Sequence, residues 1–270
     1  MWNIFRFELR MALRQWSYYS FLLLWVAVIT LLFLLQNSSP SLAGYTNMTG
    51  TVVNIALYFI PLLMLITGSF SIANEKENGQ WRLLNTYPLL TISYVLGKIG
   101  GQFIAQAIVF TFSYGISLAI GLVFGSEFSG KWLLSIYLFS IILIFFFLVL
   151  GITVGSIVST RWQALSISII IWFFLIMIWP TALIGILGMV PYRWIAPLMK
   201  IALFINPAEF IRVAFIISLD GGAVFGQAYD SLVTLLESPQ AILIYIIYFI
   251  GFLILTLLFS IFMLEWRKRQ

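Results

Sequence analysis

The sequence predicts an all-α polytopic membrane protein with six transmembrane helices in a single domain over residues 1–270. Three observations carry that expectation. Of the 270 residues, 62% are hydrophobic and only 9% are charged, against roughly 25% charged in a soluble domain. The apolar residues gather in runs long enough to cross a bilayer, which needs about 20 residues in a helix. The basic residues collect at the ends of those runs, where topology signals sit.

Residues 1–16 read as a short amphipathic helix. Trp2, Phe5, Leu9 and Leu13 recur at helical spacing, with Arg6, Arg10 and Arg14 on another face. Such a helix lies in the interface with its basic face near anionic headgroups. A cleaved leader is not expected, because Glu8 sits among the arginines and the next apolar run is too long for a leader core. The expected spans are 17–36, 51–73, 95–124, 132–158, 164–188 and 240–264. Pro61 falls inside the second, where neighbouring helices can satisfy the freed carbonyl. Residues 189–239 are too long for a simple loop and too apolar for a solvated one. Prolines and glycines divide them, and the pieces 195–204 and 208–219 read as re-entrant or interfacial helices on the outer side.

Basic residues orient the chain. With the N-terminus inside, ten Lys and Arg fall on inner segments and only Lys131, Arg193, Lys200 and Arg212 fall outside. This bias places both termini in the cytoplasm and the chain in the cell membrane.

Composition also excludes chemistry. The chain has neither Cys nor His, which removes disulfides, Cys-based zinc sites and Ser-His catalysis. Its two aspartates, Asp220 and Asp230, lie in one outer segment, not on facing spans as an intramembrane aspartic protease requires. No basic stripe suggests nucleic acid. No G-x-x-x-x-G-K-[ST] loop is present, so the chain has no phosphate cradle. An enzyme is not expected, nor a cofactor, nor a metal site. The spans are nearly free of charge and show no convincing repeat, which argues against an ion-coupled carrier.

Two polar patterns remain. Gln102, Gln106, Ser113 and Ser117 fall on one face of the third expected span. That face can line a pathway, or it can be interhelical hydrogen-bond glue. Gly97/Gly101, Gly121/Gly125 and Gly151/Gly155 have the spacing of close helix approach, either within the chain or between copies.

The most polar stretch, residues 74–94, joins the second and third spans on the inner side. Charges crowd its start, and Trp81, Leu84 and Tyr87 suit one apolar side of a short helix able to enter a groove on a soluble partner. Glu75, Glu77, Gly79, Leu84, Pro88, Gly97 and Lys98 occur at the spacings of a signature in the permease subunits of ABC-2-type transporters, and the segment resembles that family. Gln80 stands where the family usually has Thr. The six-span layout, the basic N-terminal helix and the apolar outer segment are similar as well. The resemblance implies a separate ABC ATPase subunit that supplies the energy, a second permease subunit (a homodimer) and an ATPase-coupling set of Glu75, Glu77, Gly79, Trp81, Arg82, Leu84 and Pro88.

A finer resemblance lies in residues 206–212. Asn206, Pro207, Ala208, Glu209 and Arg212 resemble a segment of the permeases of nitrous-oxide reductase maturation transporters, the NosY-like group. That likeness implies assembly of a copper enzyme and docking of an extracytoplasmic accessory protein at Asn206, Pro207, Glu209 and Arg212. The same residues also suit a plain helix start, with Asn206 as N-cap, Pro207 at the first position and Glu209 paired to Arg212. The alternative to a transporter is a non-transporting anchor or assembly factor that docks an outer partner through 189–239. The substrate is not legible.

Overall fold

Glycine determines how the central pair of helices meets. Helix α3 (Tyr45–Glu77) lies against a long helix of residues Gly130–Ile157. A Cβ on Gly68 would stand 2.6 Å from the Leu148 carbonyl oxygen, one on Gly151 2.7 Å from the Leu65 carbonyl, and one on Gly155 2.7 Å from that of Ser69. The two backbones therefore touch directly, the close approach that small residues permit in a membrane. Around this seam Ile60, Met64, Leu65, Ile72, Leu143, Phe147, Leu148 and Ile152 are almost completely buried.

The computed structural model describes residues 2–14, 16–37, 45–84, 90–124, 129–219, 221–225, 229–238 and 240–268. In chain order, α1 (Trp2–Arg14) and α2 (Trp16–Asn37) precede α3. A short α4 (Gln80–Leu84) leads to α5 (Thr91–Val123), and Gly130–Ile157 is α6. The next span is composite: α7 (Arg161–Trp172), one π-helical turn (Phe173–Ile178) and α8 (Trp179–Met189). Then come α9 (Tyr192–Ile205), α10 (Pro207–Ser218), a 3-10 turn (Gly222–Phe225), α11 (Asp230–Glu237) and α12 (Ala241–Lys268).

Five of these elements, α3, α5, α6, α7–α8 and α12, are long and apolar enough to cross a bilayer. The sixth is α2, whose 22 residues extend about 33 Å at 1.5 Å per residue, enough for a hydrocarbon core of about 30 Å. Among the described residues the chain is thus all-helical with six spans. The expected ends shift by a few residues. The largest shift is at the second span, whose helix begins at Tyr45 instead of 51 and continues to Glu77 instead of stopping at 73.

Helices α9 and α10 meet at a bend of 109°. With 14 and 12 residues, neither limb reaches across a bilayer. They form a bent helical hairpin, and the local chemistry explains where it turns. Trp179 donates its N–H to the Phe174 carbonyl, five residues back. The next residue, Pro180, has no N–H to continue the pattern, so the Leu175 carbonyl lacks its helical donor. The Asn206 amide, at the tip of the hairpin, donates to that carbonyl at 2.7 Å. Its other side-chain atom accepts from the Ala208 N–H at 3.0 Å, so Asn206 caps α10 with Pro207 at the first position.

Helix α1 does not float on the surface. Gly101 of α5 lies so close that a Cβ there would be 2.6 Å from the Glu8 Cβ and 2.9 Å from the Phe5 carbonyl. Arg6, Arg10 and Arg14 stay exposed, as the amphipathic pattern requires. Gly101, Gly151 and Gly155 thus serve contacts within the chain, while Gly125 lies outside the described residues. Gly151→Ala should destabilise the fold by about 1–3 kcal/mol, the cost of overpacking a tight seam. Gly115→Ala, where nothing stands within 4 Å, should be neutral. Thermal unfolding in detergent checks both.

Candidate functional site

At the end of the bundle that carries α1, a fully buried lysine joins three helices. Lys98 of α5 is 0% exposed. Its Nζ lies 2.7 Å from Glu8 Oε1 and 2.8 Å from Glu75 Oε1 and donates to the Ser71 carbonyl at 3.0 Å. Gln102 donates to the second Glu8 oxygen at 3.1 Å, and the Tyr94 hydroxyl donates to Glu75. A charge in this setting persists only when paired and hydrogen-bonded on all sides. Here one ammonium holds two carboxylates, from α1 and α3, and locks both to α5.

A chain of contacts runs outward from this cluster. Trp81 of α4 packs edge-on against Tyr94 with centroids 5.2 Å apart. Lys268, in the last turn of α12, sits 5.8 Å over the Trp81 ring and donates to Thr91 at 3.0 Å. The turn that launches α4 needs Gly79, whose φ is +73°, a left-handed value that glycine adopts without strain. On α4 both Gln80 and Leu83 are exposed, and Leu83, at 66%, is the apolar one among the described side chains.

The same end holds a second junction. Lys76 Nζ donates to the carbonyls of Gly155, Ser156 and Val158 at 2.9, 2.7 and 3.0 Å. These are the final acceptors of α6, and a cation is favourable there. Arg267 of α12 joins them, bonding the Val158 carbonyl at 3.2 Å, Ser159 Oγ at 2.8 Å and the Ile157 carbonyl. Glu77 accepts from the Arg161 N–H at 2.8 Å, at the start of α7. The end of α3 therefore grips the α6–α7 corner, and α12 braces it.

A cavity of about 500 Å³ opens beside these contacts, lined by Met11, Phe21, Thr67, Asn74, Glu75, Gln102 and Arg161 among others. Asn74 Oδ1 is buried and has no hydrogen-bond partner among the described residues. Toward the other end of the molecule, Glu209 and Arg212 form an ion pair at 2.6 Å. They border a smaller cavity of about 260 Å³ with Asn54 and Tyr58 of α3.

The expected site residues divide by place. Glu75 is buried in the Lys98 cluster and Glu77 sits at the α6–α7 corner, so neither lies on the outward face of α4. Trp81 turns inward onto Tyr94. Pro88 lies outside the described residues, and of Arg82 and Leu84 only the backbone is described. Of the polar face of α5, Gln102 reaches the larger cavity. Ser113 and Ser117 instead bond the Leu22 and Val26 carbonyls of α2, both at 3.2 Å, which is interhelical glue. Gln106 is buried, and its amide nitrogen has no hydrogen-bond partner among the described residues. Asn206 and Pro207 are buried, with Asn206 bonded to the π turn, while Glu209 and Arg212 are partly exposed beside the smaller cavity.

Sequence reasoning missed three participants. Glu8 was hidden because its neighbours are basic. Lys76 read as one charge among many, and Leu83 was masked by the more conspicuous Trp81. Lys98 carried the only usable signal, a lone cation in an apolar run.

Comparison with known proteins now decides the family. Residues 2–265 match the model of the ABC-2 family transporter protein. The chain belongs to the ABC-2 transporter family. It is 28% identical over 256 residues, 90% of each chain, to a protein of Stutzerimonas stutzeri named probable ABC transporter permease protein NosY. A protein of the same name from Pseudomonas aeruginosa is 27% identical over 241 residues, 84% of this chain and 85% of its own length.

Replacing Lys98 by Met should leave two buried carboxylates unpaired, a loss of about 3–5 kcal/mol. Helix α1 should then detach, and limited trypsin digestion in detergent should cut after Arg10 and Arg14 well before it cuts the wild type.

Proposed function

We propose that this chain is the transmembrane permease subunit of an ATP-driven transporter, powered by a separate ABC ATPase that docks on α4. The observation that carries the reading is the short helix itself. It stands beyond the span on a glycine-dependent turn, shows Leu83 outward and is tied through Trp81 and Tyr94 to the Lys98 cluster. A partner's groove takes up exposed apolar anchors of this kind, and the contacts behind α4 pass its displacement to α1, α5 and α12. Membership of the ABC-2 family supports the same arrangement.

The excess of basic residues at the α1 end supports a cytoplasmic position for that end and for both termini. The second permease is another copy of this chain. Asn54, Glu209 and Arg212 line one partly open cavity beside an apolar span, and a polar opening there calls for a facing surface other than lipid, which a second copy supplies. The reading as a NosY-like permease, serving assembly of a copper enzyme such as nitrous-oxide reductase with an extracytoplasmic accessory protein, rests on the two named relatives and on the 206–212 segment.

Tagged chain expressed in its native host and extracted in mild detergent should bring down a stoichiometric ATPase and a differently tagged second copy. Recovery of the chain alone, or with an outer partner only, would overturn ATP-driven transport. Leu83→Asp should lower ATPase recovery by about tenfold, the effect of losing roughly 1.4 kcal/mol of contact, with thermal stability unchanged. Reversing Glu77 to Lys should leave the ATPase bound but weaken the dependence of ATP turnover on substrate, because the α6–α7 corner would come loose.

A further inference from the structure

An apolar cavity of about 340 Å³ opens between α6, α10 and α12. It is separate from the cavities described above and has no part in the coupling reading. Its deeper lining is hydrocarbon and aromatic, with Phe139, Ile142 and Phe146 from α6 and Phe249 from α12. Among its polar side chains, Ser135 and Tyr245 come from the second turns of α6 and α12 and Ser218 from the last turn of α10. They form a rim at the end of the bundle distal to α1. The wall is open sideways, since Leu138, Ile142 and Phe249 are 50, 41 and 37% exposed. Tyr248 also lines the cavity, and its ring packs on Phe146 and Phe210.

Depth decides the occupant. The walls are membrane spans, so the medium at the opening is acyl chain, not water. A soluble protein cannot reach it, and the cavity is too narrow for a helix. We propose that one acyl chain of a phospholipid from the leaflet distal to α1 occupies this cavity. Its ester oxygens lie toward the polar rim of Ser135, Ser218 and Tyr245. The lipid is a brace for α10. That helix presents Ile211 and Phe215 to the acyl chain and Glu209 and Arg212 to the opposite cavity, so an occupied cavity holds the ion pair in place.

The test uses the full chain in nanodiscs of phosphatidylcholine that carries a photoactivatable diazirine at mid-chain. Mass spectrometry then maps the adducts. Labelling should concentrate on Phe215, Tyr248 and Phe249 and saturate as the probe fraction rises. Ala214→Phe fills the cavity and should reduce those adducts roughly tenfold, a loss of about 1.4 kcal/mol in affinity. Phe249→Ala widens the cavity and should keep labelling at Phe215 and Tyr248, which covers the case in which the filled variant does not fold. A phosphatidylglycerol probe with the same chain should label equally, since the acyl chain is what is recognised. Adducts spread evenly along the lipid-facing sides of α7, α8 and α12, or unchanged in a folded Ala214→Phe protein, would overturn the proposal. Either result would leave the ATPase reading untouched.

Discussion

A single ammonium group with no exposure to solvent organises one end of this molecule. Lys98 cannot keep its charge there without both carboxylates. Glu8 and Glu75 cannot be buried without the lysine, since each ion alone would cost several kcal/mol to desolvate. Mutual dependence of this kind is directional in a way that apolar packing is not. It fixes the rotation of α1 about its axis, the height of α1 along α5 and the point at which α3 leaves the bundle. The tilt of α4, the stacking of Trp81 and the seat of Lys268 all follow from that frame.

The remainder of the bundle is built on the opposite principle. Hydrophobic burial gives little preference for protein over lipid inside a bilayer, so packing and backbone approach must hold the spans together. The α3–α6 seam does this with three glycines. The outlying spans, α7–α8 and α12, present long apolar faces outward, as helices bathed in hydrocarbon or in another subunit can. The structure therefore has a stiff centre, a polar lock at one end and two peripheral spans whose positions depend on corner contacts such as Arg267 and Asn206.

Much of this was legible in the sequence because a bilayer imposes strong periodic and compositional rules. Six runs, a basic amphipathic start and the Asn206–Pro207 helix cap could be read from residue types alone. The Glu209–Arg212 pair was legible for the same reason, as its partners are neighbours on one helix. What could not be read depends on distance in sequence. Glu8 meets Lys98 from 90 residues away, and the signature residue Glu75 reads as exposed until α1 and α5 enclose it. Ser113 and Ser117 fit a pathway wall as well as they fit glue until α2 is placed against them. The inward turn of Trp81, which leaves Leu83 as an exposed apolar side chain of α4, depends on Tyr94 and on the last turn of a helix far along the chain.

The π turn in the fifth span has one more consequence. Its carbonyl at Leu175 is held by Asn206 because Pro180 cannot supply a donor, and a return to regular α-helix would withdraw or reorient that carbonyl. The span and the α9–α10 hairpin therefore behave as a crank and its follower. Returning the π turn to α-helix forces the hairpin to let go or to travel with it, and a push on the hairpin loads the π turn in return. A membrane protein built this way can register events on one surface as a change of shape in the middle of a helix, with a single side-chain amide as the bearing.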